Sequence, residues 1–158
     1  MTPITLEDIK AEQTKIAEMI AAFEKQAEES VLFFPEITIN LQPGEQYAGI
    51  IVGKDGEPSH HLILLPEQHG CTNWKKASEW AKQQGGSLPT RREQSLLFAN
   101  HRDLFPKDWY WSSESHEQDA AYAWCQNFGY GYQNYYLKAN LSCRARAVRR
   151  VQITGEQS

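Results

Sequence analysis

The spacing of hydrophobic and polar residues predicts a helix at the start of the chain. Over residues 4–29, apolar positions recur at alternating steps of three and four, which is typical of a helix with one apolar stripe. Thr5 precedes the pattern as a candidate N-cap, and Glu7 and Asp8 favour the positive end of the helix dipole. The stripe contains Leu6, Ile9, Ile16, Ile20, Phe23 and Ala27, with Gln13 interrupting it. Such a stripe fits a coiled coil or a helix folded onto its own domain equally well.

After this helix the spacing changes to the period of two that is typical of strands. Alternating apolar residues predict a strand over residues 37–41, with an edge or entry point at Pro35. Two apolar runs around Lys54-Asp55-Gly56 then predict a β-hairpin. His60 and His61 begin its second strand, and because neighbouring strand residues face opposite sides, we interpret them as ordinary strand residues.

Two further helices are predicted between the hairpin and the last third of the chain. Thr72 is the expected N-cap of the first helix, and Gly85-Gly86 ends it. Thr90 and Glu93 predict a capping box at the start of the second helix, which runs to about Asn100. The first helix has four apolar residues on one face: Trp74, Ala77, Trp80 and Ala81.

Length and composition fit one ordinary globular domain. The chain has 158 residues, of which 41% are apolar and 23% charged, so a sizeable core is available and wholesale disorder is excluded. A net charge of −4 gives no general attraction to nucleic acid. The last strand is nevertheless basic, and we expect its arginines to pair with carboxylates or cover apolar surface rather than to contact nucleic acid. These arginines are Arg144, Arg146, Arg149 and Arg150.

The cysteines and the N-terminus bear on the cellular compartment. Cys71, Cys125 and Cys143 are an odd number without a CxxC pair, which favours a reducing compartment and buried, inert thiols. The first residues lack the basic and apolar segments of a signal peptide, and no window has the apolar length of a membrane span. We therefore expect a cytoplasmic protein, or one assembled there into a larger particle, without membrane contact.

Candidate catalytic and metal-binding residues crowd into one polar segment. Three carboxylates there offer oxygen ligands of the kind that calcium prefers, namely Glu114, Glu117 and Asp119. Four residues suggest a hydrolytic triad, namely Ser112, Ser113, His116 and Asp119. Because a triad requires groups that converge from different elements, we interpret the segment as a polar loop that closes onto a sheet. We expect no metal and no cofactor.

Four segments together resemble a known family: GGSLPTRREQSLLFAN, WYWSSES, AYAWCQNFGYGYQ and RARAVRRV. They are similar to a domain of unknown function in phage and prophage proteins and to the C-terminal domain of Legionella collagen-like proteins. That group is assigned a C-type-lectin-like fold, related to sulfatase-modifying domains and to the variable domains of phage tropism determinants. The resemblance covers roughly residues 45–152. It implies an α+β domain with two helices packed on a small, twisted antiparallel sheet.

The predicted organisation is therefore an N-terminal amphipathic helix at 1–30, a C-type-lectin-like domain at 31–152 and a flexible tail at 153–158. The resemblance carries over no mechanism. Glu57-Pro58-Ser59 lies in the hairpin turn and not in a late loop, unlike the calcium-binding signature of sugar-binding lectins. Cys125 and Cys143 are too far apart in sequence to match the reactive pair of sulfatase-modifying enzymes, although adjacent strands could bring them together.

The last third of the chain carries the candidate binding surface. It is rich in tyrosine, glycine and asparagine, which combine large contact area with tight turns. Strict strand alternation cannot place all its tyrosines on one face, so part of the surface must be a loop. We expect the core to hold Trp109, Trp111, Trp124 and Phe128. The candidate binding residues are Tyr130, Tyr132, Asn134, Tyr135, Tyr136, Lys138 and Asn140.

Two classes of function follow. The first is a non-enzymatic binding module of phage or prophage origin that recognises a protein partner of the host or virion and forms a homo-oligomer through residues 4–29. By resemblance to tropism determinants, residues 130–140 correspond to the diversified region. The alternative is a carbohydrate-binding lectin, with or without calcium, or an enzyme related to the sulfatase-modifying fold.

Overall fold

The computed structural model describes residues 2–27 and 32–154 of the chain. The chain divides into two compact units, Met1–Phe33 and Phe34–Ser158. The last two residues of the predicted helix at 4–29, and residues 155–158 of the predicted tail, lie outside the described residues.

The first unit contains helix α1 (Leu6–Gln26). Thr5 is its N-cap, as predicted: the Thr5 hydroxyl oxygen accepts a hydrogen bond from the Asp8 amide at 3.2 Å. The Thr5 amide donates in return to the Asp8 carboxylate at 2.8 Å, which completes a capping box. No residue of α1 is buried, and the apolar stripe is open to solvent, with Ile16 54% and Phe23 68% exposed.

The second unit is an α+β domain built on a six-stranded sheet, which confirms the predicted class. Its strands lie in the order β1-β2-β6-β3-β4-β5. The elements in chain order are β1 (Gln46–Ile51), β2 (His60–Thr72), α2 (Trp74–Gln83), α3 (Arg91–His101), β3 (Trp109–Ser115), β4 (Tyr122–Asn127), β5 (Gln133–Leu137) and β6 (Cys143–Gln152).

The sheet is mixed, not wholly antiparallel as the resemblance implied. Strand β6 pairs antiparallel with β2 along most of its length, from Cys143 to Gln152. Only its first residues reach β3, where a single parallel pair joins Tyr110 and Arg144. The remaining neighbours are antiparallel.

The two helices of this domain cover different apolar clusters, which the alternation of the strands separates. On one side, Ala77 and Ala81 of α2 pack with Trp111 of β3, and Trp74 and Trp80 lie against this cluster as the helical spacing predicted. On the other, α3 supplies Leu97 to a cluster with seven further buried residues from the strands and loops: Ala48, Leu62, Leu64, Phe105, Tyr110, Phe128 and Val148. Neighbouring residues of β3 thus enter opposite clusters, as a period of two requires.

Local signals predicted the turns and caps with few errors. Asp55 and Gly56 have φ values of 54° and 84°, and the Glu57 amide donates to the Lys54 carbonyl at 3.0 Å, which gives the hairpin turn predicted there. The Thr90 amide donates to the Glu93 carboxylate at 2.8 Å, and the Glu93 amide donates to the Thr90 hydroxyl, so the predicted capping box is confirmed.

Two local predictions were wrong. The N-cap of α2 is Asn73, whose side-chain oxygen accepts from the Lys76 amide at 2.8 Å. Thr72 instead remains in β2, where its carbonyl accepts from the Trp111 indole at 2.8 Å. Residues 37–41 form no strand, because a strand requires a neighbouring backbone; the Asn40 carbonyl accepts from the Arg149 side chain instead.

Candidate functional site

A tight turn between β4 and β5 presents the most exposed tyrosines. Asn127 organises the turn: its side-chain oxygen accepts from the amides of Gly129 at 2.7 Å and Tyr130 at 3.0 Å. Gly131 adopts φ +87°, and a Cβ there would lie 2.9 Å from the Phe98 ring, so glycine is required. The turn leaves Tyr130 79% and Tyr132 68% exposed, with ring centroids 6.1 Å apart.

Strand β5 divides the other candidate residues between the two faces of the sheet. Tyr136 packs edge-on against Trp109 at 5.2 Å between ring centroids. Tyr135 lies on the opposite face, where it meets Trp124 at 5.3 Å. By alternation, Asn134 shares the face of Tyr136, and the same alternation assigns this face to Tyr132, which precedes β5 and accepts a hydrogen bond from the Asn127 amide. The predicted surface is therefore a rim around the end of the sheet and not a flat patch on one face.

Some candidate residues have structural partners. Burial against Trp109 raises the pKa of Tyr136 above its ordinary value, and this ring is only partly accessible. The Lys138 ammonium lies 4.4 Å from the Trp74 ring centroid, a cation–π contact. The Asn140 amide donates to the Leu137 carbonyl at 2.9 Å and closes the turn after β5. Asn134 is exposed, and its side-chain oxygen accepts from the Tyr135 amide at 2.8 Å.

The four aromatic residues expected in the core divide into two pairs. Trp111 and Phe128 are buried, as predicted. Trp109 and Trp124 are half-buried; Trp109 still packs against the buried cluster around Trp111, so the expectation was wrong only for Trp124. Trp124 lies near the edge of the sheet, where the Arg91 guanidinium stacks 3.6 Å from its ring centroid and the Glu117 carboxylate accepts from its indole at 3.1 Å. Polar side chains, not a second apolar layer, cover this tryptophan.

The basic strand β6 is held by intramolecular contacts. Arg144 pairs with Asp108 at 2.9 Å and Arg149 with Glu45 at 2.7 Å. Arg146 is buried without a carboxylate: it donates to the carbonyls of Leu104 and Leu65, and burial lowers its pKa. The expectation that these arginines pair with carboxylates is thus met by Arg144, Arg149 and Arg150, and Arg146 uses carbonyls instead.

Glu93 is the centre of the most heavily bonded polar group in the domain. Its buried carboxylate accepts two hydrogen bonds from Arg150, at 2.7 and 2.6 Å, and approaches His60 Nε2 at 2.7 Å. Burial alone would raise the pKa of Glu93, but the hydrogen bonds from Arg150 and the Thr90 amide hold it below its ordinary value. The carboxylate therefore stays ionised and joins α3, β2 and β6.

The polar segment, predicted as a loop, begins within β3 at residues 112–115 and continues into the loop after it, and it does not assemble the groups of a triad or a calcium site. Three carboxylates bind separate donors: Glu114 accepts from the Arg91 amide, Glu117 from the Trp124 indole and Asp119 from the Ala121 amide. Among residues 2–27 and 32–154, no three potential ligands lie close enough to hold a metal ion. Ser112 is buried with its hydroxyl accepting from the Glu114 amide, His116 Nδ1 accepts from the Gln118 amide, and Ser113 is exposed.

Two of the cysteines lie together in the core. Cys143 Sγ is 3.1 Å from Cys125 Sγ, both residues are buried, and burial raises the pKa of the Cys125 thiol. The expectation of buried thiols is confirmed for this pair. It is wrong for Cys71, which is exposed because it lies near the end of β2.

An open cavity of about 450 Å³ lies beside the N-terminus of α3. Basic and acidic groups balance in its lining, and Gln133 of β5 forms part of its wall. Gln133 is fixed there, since its side-chain oxygen accepts from Arg91 at 3.0 Å and its amide nitrogen donates to the Arg91 carbonyl at 2.9 Å. The charged lining residues are Glu57, Arg91, Arg92 and Glu114.

The sequence did not predict the roles of three residues around β5: Leu137, Asn127 and Arg91. Leu137 is 40% exposed at the end of β5, and it continues the alternation of Gln133 and Tyr135 that the sequence already shows. Asn127 organises the turn before β5, and the Asn-x-Gly spacing is its only signal. The stacking of Arg91 on Trp124 joins residues far apart in sequence, so no local pattern announces it.

No protein-family model and no curated protein matches this chain. Within the described parts of the chain, no helix combines the length and apolar character that crossing a membrane requires.

Proposed function

We propose that the chain is a non-enzymatic binding module of phage or prophage origin that recognises a protein partner through its tyrosine-rich surface. The observation that carries the proposal is the exposure of Tyr130, Tyr132 and Tyr135 in a domain whose neighbouring charged groups are bound to one another. Exposed tyrosines combine large contact area with few torsions to restrict, which makes them effective in protein recognition.

We also propose that the second unit has a C-type-lectin-like fold. A C-type-lectin-like fold is supported by the α+β composition of the second unit, by its twisted sheet and by its two helices. The tyrosine-rich turn and β5 would then correspond to the diversified region of tropism determinants. Fold alone does not determine function, so the partner has to be sought through the surface itself.

Self-association through α1 would increase the strength of binding. The stripe of α1 is exposed along the described helix, and helices in proteins gain most of their stability by packing such an apolar face against a neighbour. A second copy of α1 would cover the stripe in a coiled coil, with Gln13 as the polar position that fixes the register. Several tyrosine surfaces on one particle would then bind a multivalent partner with avidity.

Affinity capture from a bacterial lysate tests the binding role. The intact chain is compared with a variant carrying Tyr130→Ala, Tyr132→Ala and Tyr135→Ala, and the bound proteins are identified by mass spectrometry. A matched control carries Lys75→Ala, Lys76→Ala and Glu79→Ala on the exposed side of α2. We expect one partner to be retained by the control and lost from the tyrosine variant. Equal retention by both variants would remove the tyrosine surface from the proposal.

Sedimentation of the full chain tests the oligomer. Ile16→Glu with Ile20→Glu places two negative charges within the stripe, and Ala11→Glu with Ala22→Glu places the same two charges outside it. We expect only the first pair to reduce the molecular mass to that of a monomer. A monomeric parent protein would contradict the coiled coil.

A second candidate function is binding of a small carbohydrate in the cavity beside α3. Its volume of about 450 Å³ lies in the range of ligand sites, and its nearly balanced charge suits a neutral, hydroxyl-rich molecule. Saturation-transfer NMR with common monosaccharides would test it. Signal that disappears in Arg92→Ala would favour this function over protein recognition.

A further inference from the structure

Strand β5 forms one outer edge of the sheet within the described part of the chain. The Asn127 amide donates to the Tyr132 carbonyl, and the Lys138 amide donates to the Ala121 carbonyl, each at 2.8 Å. In an antiparallel ladder, hydrogen-bonded and non-hydrogen-bonded pairs alternate. Asn134 and Tyr136 therefore also direct their backbone groups towards β4. The backbone groups of Gln133, Tyr135 and Leu137 consequently face away from the sheet.

Two of these outward groups already have local partners. The Tyr135 amide donates to the side chain of Asn134, and the Leu137 carbonyl accepts from the Asn140 amide. Among the described residues, the amides of Gln133 and Leu137 and the carbonyls of Gln133 and Tyr135 have no such local partner, so these four groups remain for another strand. No residue from Gln133 to Leu137 is charged, so β5 lacks the charged side chains that protect many edges from pairing.

The opposite edge of the sheet is protected. Strand β1 contains a register shift between Tyr47 and Gly49, which interrupts its edge. Side chains of α3 bind its carbonyls: Asn100 donates to Ala48 at 2.6 Å, and His101 approaches the Tyr47 carbonyl at 2.6 Å. The difference between the edges marks β5 as the one that is open for pairing.

The position of the tyrosines indicates the shape of the occupant. Tyr132 directly precedes β5, and the Asn127 amide donates to its carbonyl, so the β4 pairing extends to it. Alternation then places Tyr132 on the face opposite to Tyr135, and a partner on either face would reach only one of them. What they share is their position beside the free edge. An added strand lies in the plane of the sheet and presents alternate side chains to both faces, so it contacts both tyrosines at once.

We propose that β5 binds an extended, uncharged peptide segment of a partner protein as an additional strand of the sheet. Main-chain hydrogen bonds supply affinity in this mode, and side chains beside the edge supply selectivity. The inference rests on the proposed role of the tyrosine surface and specifies how the partner engages it. A second copy of the chain pairing through β5 is the competing occupant.

The test uses the full chain and a synthetic peptide of alternating threonine and valine, with binding followed by NMR of the backbone amides. Leu137→Pro removes one outward donor without touching the β4 ladder, and Leu137→Ala is the matched control that keeps this donor. We expect about fivefold weaker binding for Leu137→Pro than for Leu137→Ala, the equivalent of one net hydrogen bond. A copy of the peptide N-methylated at alternate residues should not bind.

Asn134→Ala should strengthen peptide binding, whereas Leu137→Pro should weaken it. This second variant keeps the inference testable if the proline variant folds poorly. It releases the Tyr135 amide for the incoming strand, and we expect binding to become about two- to fivefold tighter. If the peptide were recognised through side chains alone, Asn134→Ala would not bind it more tightly. Equal affinities for Leu137→Pro and Leu137→Ala, unchanged affinity for the methylated peptide, or dimerisation through β5 without peptide binding would each overturn the inference.

The outcomes separate this inference from the proposed function. A captured partner that depends on the tyrosines, but binds both Leu137 variants equally, overturns strand addition alone. Peptide binding with the expected backbone dependence supports strand addition even if the lysate contains no partner that depends on the tyrosines.

Discussion

Strands β5 and β6 carry the most distinctive side chains of the domain, and they use them in opposite ways. The arginines of β6 are bound to carboxylates or carbonyls of the same chain, and Arg150 holds the buried Glu93 with two hydrogen bonds. Around β5, by contrast, Tyr130 and Tyr132 are mostly exposed and touch chiefly each other. The charged groups of β6 therefore stabilise the fold, and we propose that the uncharged aromatic surface around β5 serves recognition.

The contrast also shows how a basic segment can mislead. Four arginines within seven residues suggest an anion-binding strand. In the folded domain their charges are neutralised by Asp108, Glu45 and Glu93, or enclosed with carbonyls. Substitutions in β6 should consequently change stability, and substitutions around β5 should change binding.

The largest expected effect is that of Glu93→Gln. Removing the charge leaves Arg150 without its ionic partner and weakens the bond to His60, and breaking such a buried pair costs about 3 kcal/mol of unfolding free energy. Chemical denaturation measures it, with the exposed Glu79→Gln as the control. A loss below about 1 kcal/mol would contradict the central role of this carboxylate.

The same carboxylate should make the unfolding free energy of the domain depend on pH in the acid range. Because the pKa of Glu93 is lowered in the folded state, its stabilising contribution is complete above about pH 4.5 and declines as the pH falls through the folded value. The unfolded chain binds the proton more readily there, so unfolding free energy falls by at most about 1.4 kcal/mol per pH unit for this one group. Denaturation curves from neutral to acid pH should show a shallower fall in Glu93→Gln. Identical slopes would refute the assignment.

Contacts between residues close together in the sequence could be predicted, and contacts between residues far apart in the sequence could not. Thr5, Thr90 and the turn at Asp55-Gly56 were predictable because the partner groups lie within three residues. The pairing of Arg150 with Glu93 joins residues 57 apart, and no local pattern specifies it. The split of the tyrosines over two faces of β5 followed from alternation, but the open backbone edge depends on strand order, which spacing cannot supply.

Tyr110→Phe should have a smaller and favourable effect. The Tyr110 hydroxyl is buried without a hydrogen-bond partner among the described residues, and burial raises its pKa to about 12. Phenylalanine keeps the ring contacts with Phe105 and Phe128 and removes the unsatisfied group, so unfolding free energy should rise by about 0.5–1 kcal/mol. Thermal unfolding measures the change. A clear loss of stability would mean that the hydroxyl has a partner.

The smallest expected effect on stability tests the contrast most directly. Tyr130→Ala removes a ring that is 79% exposed, and surface changes of this kind alter unfolding free energy by less than about 0.5 kcal/mol. Tyr136→Ala, beyond the turn in β5, removes a ring that packs on Trp109 and should cost about 1–2 kcal/mol. The two variants should rank in the opposite order in partner binding, because the ring that contributes least to the fold is the most accessible. If Tyr130→Ala destabilised the domain as much as Tyr136→Ala, the tyrosines around β5 would belong to the fold like the arginines of β6.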